Sequence, residues 1–396
     1  MSLRKKIGLA IALLMGMILV VVFAFNLWLN HQKSKPFKAT EDELAQLEFY
    51  KQPESWFLNN LKGPRIVLDG QQLDPKFQYI FEQAGDSDEN LKMMKLIFST
   101  PLGRKYARHM VDREWNLYSK ISPPMKVTFD LEVLGRHGLD IPIRLYVPKD
   151  DTDQKENLPV LVYAHGGGLL FGSVKAMDRV VQHIANEANV MVISVDYRLA
   201  PEHPYPSASD DGEDVFLWAK NNVKKYGGNP KNIAFGGDSG GGLVAINVAQ
   251  RQLDQMKSPP TALLLYYPAT GLPINDPSYT LFGKGYGLDA NFFEYLLTLV
   301  FPDQSLETAN PDDYMAPVQS RDLSNMPPTI VVTAGFDILR DSGKRFADKL
   351  KADSVAVTYY NYASLTHNFL QLSAIIEDAD KATTETAQLL GQMVRE

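Results

Sequence analysis

Ile233-Ala234-Phe235-Gly236-Gly237-Asp238-Ser239-Gly240-Gly241-Gly242-Leu243-Val244 is the stretch on which the fold turns. Residues 233–235 form a short apolar run of strand type, and residues 243–250 continue with helical spacing. Between them Gly237-Asp238-Ser239-Gly240-Gly241 fits G-x-S-x-G. A strand, a tight turn and a helix are the setting of a nucleophile elbow, which holds a serine hydroxyl out on a strained backbone. Glycines two before and two after the serine leave room for the neighbouring elements. The helix N-terminus behind it favours developing negative charge. For this motif alone, a Gly-rich strand–helix turn without chemistry is the competing reading.

Working outward, apolar β-branched runs occupy residues 126–134, 141–147, 160–164, 190–195, 233–235, 262–266, 329–333 and 355–360. Helical stretches fall between the later ones, at 178–189, 208–226, 242–254 and 343–351. Strands alternating with helices predict an α/β fold, a mostly parallel sheet with helices on both faces. The first two runs have no helix between them and predict an antiparallel hairpin at one edge. Residues 41–125 look mainly helical, and 91–118 suit an amphipathic helix, with Leu91, Met94, Ile97 and Phe98 three and four apart.

His165-Gly166-Gly167-Gly168 follows the apolar run 160–164 directly. Consecutive glycines expose backbone N–H groups that no side chain shields, and such donors suit an oxyanion. The N–H of Gly240 would join them. A flexible loop is the alternative, but it leaves the placement at a strand end, where α/β sheets put their ligands, unexplained. A serine hydroxyl needs a base. Of seven histidines, His367 comes late in the chain, after the run 355–360, as the order Ser…Asp/Glu…His requires. Asp337 follows the run 329–333 and fits the orienting acid. Asp341, one turn on, fits a solvent-facing residue or a cap for the helix beginning near Ser342.

These motifs, with Asp196-Tyr197-Arg198-Leu199-Ala200-Pro201-Glu202, Asp337-Ile338-Leu339-Arg340-Asp341 and His367-Asn368-Phe369, resemble the hormone-sensitive-lipase family of bacterial esterases. The resemblance spans about residues 125–375 in order and spacing. It implies an α/β-hydrolase fold with a helical cap, and a serine carboxylesterase acting on short-to-medium acyl esters. It implies Ser239 as nucleophile, Asp337 as orienter and His367 as base, with Gly167, Gly168 and Gly240 as oxyanion donors. His165 and Glu202 match positions that brace the surrounding loops. Neither metal nor cofactor is implied. Two departures stand out: Gly240 replaces the usual Ala after the nucleophile, and Asn368 replaces Gly after the histidine. A membrane-surface lipase or deacetylase is the neighbouring alternative. A non-catalytic binding module on a hydrolase scaffold is the distant one, disfavoured because all three reacting residue types are present.

The rest of the chain sets the context. Its 396 residues have 45% hydrophobic and 22% charged side chains, ordinary for a globular protein. A net charge of −7 argues against a nucleic-acid partner. With no cysteine, disulfides, thiolate metal sites and cysteine nucleophiles are excluded. Arg4, Lys5 and Lys6 precede an uncharged run over residues 7–29, which as a helix spans roughly 34 Å, enough for a bilayer. The expected organisation is a transmembrane anchor or signal segment at 1–30, a linker at 31–40, an N-terminal helical cap region at 41–125, and a catalytic domain at 126–396 with a cap insertion at about 270–312. The catalytic body is expected outside the cytoplasm, anchored or, after cleavage, secreted. Within the insertion, Tyr286, Phe292, Phe293, Tyr295 and Leu296 are candidates to line a pocket for an ester substrate, or simply to pack cap on body.

Overall fold

A computed structural model describes residues 37–149, 157–302 and 322–396, together with 25, 26, 29, 316 and 317. Helices come first: α1 (Glu41–Phe49), α2 (Glu54–Asn59), α3 (Pro75–Gln83), α4 (Ser87–Phe98) and α5 (Pro101–Tyr118). The stretch 91–118 is therefore two helices, not one. Pro101 cannot donate to the preceding turn, and Thr100 caps the new helix by accepting from the Gly103 N–H at 3.1 Å.

The sheet follows: β1 (Val127–Leu134), β2 (Asp140–Val147), β3 (Leu158–Ala164), β4 (Met191–Val195), β5 (Gly228–Asp238), β6 (Leu263–Tyr266), β7 (Thr329–Phe336) and β8 (Val357–Thr366). Its eight strands run in the order β8-β7-β6-β5-β3-β4-β2-β1. β1 pairs β2, and β2 pairs β4, antiparallel; every other pairing is parallel. The expected edge hairpin is thus β1–β2. Every residue of β3, β4, β6 and β7 is buried, which demands cover on both faces. That cover comes from α6 (Asp178–Ala188), α7 (Ser207–Asn222), α8 (Gly240–Asp254), α11 (Arg340–Ala352) and α12 (Glu377–Met393). α6 packs on α12, and α7 on α8. The closing helix α12 lies beyond the alternation read from the sequence.

Two further helices, α9 (Pro277–Leu281) and α10 (Ala290–Val300), interrupt the β6–β7 crossover. They join the N-terminal helices through polar contacts: Lys284 Nζ donates to Asp88 at 2.7 Å, Asn291 donates to the same carboxylate at 3.1 Å, and Lys95 Nζ lies 5.0 Å over the Tyr295 ring. Apart from Phe25, Asn26 and Leu29, the apolar run 7–29 falls outside the described residues. Phe25 meets the Tyr106 ring of α5 at 5.9 Å. Among the described residues no helix is long and apolar enough to cross a membrane.

Candidate active site

Ser239 joins β5 to α8 with φ 54° and ψ −119°, a backbone conformation that non-glycine residues rarely adopt. Such a residue stores on the order of 1–3 kcal/mol and persists only where its surroundings fix it. Here its N–H donates to the Tyr266 carbonyl at 2.9 Å, and its carbonyl accepts from Ala269 at 3.0 Å. The flanking glycines are steric necessities. A Cβ at Gly241 would collide with the Ala164 carbonyl, and one at Gly237 with the Gly241 carbonyl.

The three reacting side chains read from the sequence meet here. Ser239 Oγ lies 2.9 Å from His367 Nε2, and His367 Nδ1 lies 2.8 Å from Asp337 Oδ2. A carboxylate can only accept, so Nδ1 carries the proton and Nε2 is left to accept from the serine hydroxyl. The second oxygen, Asp337 Oδ1, accepts from the Leu339 N–H at 2.9 Å, which fixes the carboxylate plane. All three residues are buried. They arrive from the ends of β5, β7 and β8, which parallel pairing, with β6 between β5 and β7, brings to the same edge of the sheet. Asp341 stands elsewhere. It accepts from Ser278 N at the start of α9 and pairs with Arg340, so it caps a neighbouring helix rather than its own.

Asn368 sits at φ 61°, the left-handed region that glycine adopts freely and that asparagine tolerates better than most. Its departure from glycine therefore keeps the turn that carries His367. The other departure lets two loops close in. A Cβ at Gly240 would lie 3.3 Å from Gly168 Cα.

Gly167 and Gly168 follow β3 with φ of 104° and 61°. At Gly167 a Cβ would lie 2.5 Å from the Phe171 carbonyl oxygen; at Gly168 it would strike Leu296 of α10. The N–H groups of Gly167, Gly168 and Gly240 have no internal acceptor among the described residues. His165 props the loop from behind. Its Nδ1 donates to the Gly166 carbonyl at 2.8 Å, its ring stacks on Tyr197 at 4.2 Å, and burial pushes its pKa down, keeping it neutral. Glu202 accepts from Arg104 and Arg108 at 2.7 and 2.8 Å. Partial burial pushes its carboxyl upward, but the two guanidiniums outweigh this and hold its pKa at about 2. Arg108 also donates to the Leu170 and Ala200 carbonyls at 2.8 and 2.7 Å, tying α5 to the glycine loop.

Sequence reasoning missed Asp238, the residue before the serine. Fully buried, it accepts from Tyr163 Oη at 2.8 Å, Gly166 N at 2.9 Å and Gln371 Nε2 at 3.1 Å. Burial raises its pKa against the pull of these donors. Its signal was available in principle: an acid inside G-x-S-x-G must be buried and needs donors. Arg104 and Arg108, one turn apart on α5, were likewise visible and passed over.

An apolar cavity of about 210 Å³ opens onto Ser239 and the three glycines. α10 supplies Phe292, Phe293, Leu296 and Leu297, while Met94 comes from α4 and Val111 and Trp115 from α5. Of the five expected pocket residues, Tyr286 and Tyr295 lie outside this lining. Tyr286 packs on Phe282 and Phe336, both at 5.6 Å, and Tyr295 lies under Lys95.

Residues 161–371 match a family described as having the alpha/beta hydrolase fold. The carboxylesterase NlhH of Mycobacterium tuberculosis is 35% identical over 75% of this chain and 93% of its own length. An ethyl acetate hydrolase of Pseudomonas putida is 33% identical over 66% of this chain and 82% of its own. The solved hyperthermophilic esterase of the archaeon Pyrobaculum calidifontis superimposes with a TM-score of 0.67 at 31% identity, covering 76% of this chain and 97% of that one. The chain belongs to the α/β-hydrolase family. Within it, the resemblance drawn from the motifs, to the hormone-sensitive-lipase family of bacterial esterases, holds.

Proposed function

We propose that this chain hydrolyses carboxylic esters through an acyl-enzyme, with Ser239 as nucleophile, His367 as base and Asp337 as orienter. The observation that carries the reading is the unbroken hydrogen-bonded line Asp337–His367–Ser239 beside three glycine N–H groups that find no acceptor among the described residues. His367 takes the serine proton as Oγ attacks the ester carbonyl. The N–H groups of Gly167, Gly168 and Gly240 receive the oxyanion. The imidazolium then protonates the departing alcohol, and water, deprotonated by the same imidazole, releases the acid. Asp337 holds the imidazole in the right tautomer and stabilises its charge.

The apolar cavity on the serine side suits a short-to-medium acyl chain and is small for a long one. On a p-nitrophenyl series, kcat/KM is expected to be greatest between acetate and hexanoate. It should fall by roughly an order of magnitude or more at palmitate. Maximal rates on palmitate would favour the lipase reading instead.

The same proposal anchors the catalytic body outside the cytoplasmic membrane through residues 1–30, on the strength of the uncharged run 7–29 behind Arg4, Lys5 and Lys6. The full chain should sediment with membranes and resist salt extraction, and a chain starting at residue 31 should be soluble. Recovery of the intact full chain in the soluble fraction would sink the anchor.

A further inference from the structure

A second cavity, of about 400 Å³, opens beside the imidazole. It shares Trp115, His367 and Asn368 with the apolar cavity but touches neither Ser239 nor the oxyanion glycines. Much of its wall is aromatic, from Tyr50, Phe77, Phe81, Trp115 and Tyr118. The Tyr50 and Tyr118 rings meet edge to face at 5.9 Å.

Into this enclosure α5 presents one acid, Glu114. Glu114 is itself exposed, so its side chain stands at the open rim of the cavity, while the protein around the carboxyl still raises its pKa by desolvation. Among the described residues no hydrogen bond engages its carboxylate, and no guanidinium or ammonium offsets the desolvation. Its near neighbours are phenols. Burial raises the pKa of Tyr50 and Tyr118, and the Glu114 charge adds to both. This sets Glu114 apart from Glu202 on the other flank of α5, which two arginines satisfy.

A carboxylate at the rim of an aromatic cavity, with no cationic side chain beside it, leaves the charge of that cavity open to a cation from outside. Rings and acid together make a receptor for a substituted ammonium: the ring faces attract the charge and cover its alkyl groups, and the carboxylate neutralises it. The reaction gives this cavity its role. His367 Nε2 must hand its proton to the leaving oxygen, so the alcohol arm departs on the imidazole side. The cavity lined by His367 but not by Ser239 lies on that side.

Building on the ester-hydrolase reading, we propose that this cavity receives an alcohol arm bearing a protonated or quaternary amine. Glu114 is its counter-ion and a determinant of specificity. The acyl arm then occupies the apolar cavity, so the preferred substrates are apolar acyl esters of amino alcohols.

The test compares matched esters in which a carbon replaces the ammonium nitrogen. Acetylcholine is set against 3,3-dimethylbutyl acetate, alongside a second such pair with a longer spacer. In wild type, kcat/KM should favour the cation in at least one pair by about tenfold. In Glu114→Gln that preference should shrink to within about twofold, and Glu114→Asp should recover part of it. The readout is a ratio within one enzyme, so a general loss of activity does not imitate it. If Glu114→Gln does not fold, Glu114→Ala carries the same contrast. Equal rates for both members of both pairs in wild type, or a preference that survives removal of the carboxylate, would overturn the proposal. With p-nitrophenyl acetate run beside them, failure to turn over any ester would count against the ester-hydrolase reading itself. Turnover of neutral esters without charge preference would count only against the cationic arm.

Discussion

Ser239→Ala is expected to lower kcat on p-nitrophenyl acetate by roughly 10⁴- to 10⁶-fold with little change in KM. The hydroxyl is the only group at the elbow that can form the acyl-enzyme, and its Oγ is the atom that His367 Nε2 meets at 2.9 Å. Alanine keeps the Cβ, so the strained φ of 54° and the two backbone bonds to Tyr266 and Ala269 persist. The variant should therefore unfold at nearly the wild-type temperature. What remains of the rate comes from the glycine N–H groups and binding, which still favour the tetrahedral state when water attacks directly. Full activity in a folded Ser239→Ala protein would refute the nucleophile assignment.

Asp337→Asn should cost about 10⁴ in kcat, while Asp341→Asn should cost less than about tenfold. The difference lies in what each carboxylate holds. Asp337 accepts the Nδ1 proton through Oδ2 and is pinned through Oδ1 by the Leu339 N–H. An amide at this site presents its own N–H₂ or turns its oxygen with no charge behind it. The imidazole then loses the tautomer that leaves Nε2 free to accept, and its positive form loses its counter-charge. Asp341 holds Ser278 and Arg340, so its loss loosens the start of α9 and leaves the imidazole alone. Comparable kcat losses in the two variants, each checked for folding, would count against this division.

How much of this was legible in the sequence follows from the range of the interactions. The β strands and the serine turn were readable because strand burial and backbone sterics write themselves locally, as in the wholly apolar run 160–164 and the glycines around Ser239. Ends were less legible. β5 extends from Gly228 to Asp238, well beyond the apolar core at 233–235: Gly228 pairs with Leu158 of β3, residues 229–232 fall in a register shift, and Gly236 and Gly237 continue the pairing with β3. β8 likewise runs on to Thr366 alongside β7. The break at Pro101 was written in the chain but outvoted by the apolar spacing on either side of it. The site divides the same way. Ser239, Asp337 and His367 could be placed by order along the chain, a property of the family's topology. Asp238 and Arg108 act through partners far away in sequence, such as Gln371, 133 positions on from Asp238, and no local pattern announces them.

One buried carboxylate at Asp238 holds the turn of the nucleophile, the glycine loop at Gly166 and the segment after the base at Gln371 to a common point. Every one of these ties lies inside the sheet domain; none reaches the covering helices. Bond-making is thereby referenced to the strands, whereas much of the wall of the apolar cavity comes from α4, α5 and α10. Such a division of labour lets the outer helices be rebuilt for a different ester while the reacting atoms keep their mutual registration.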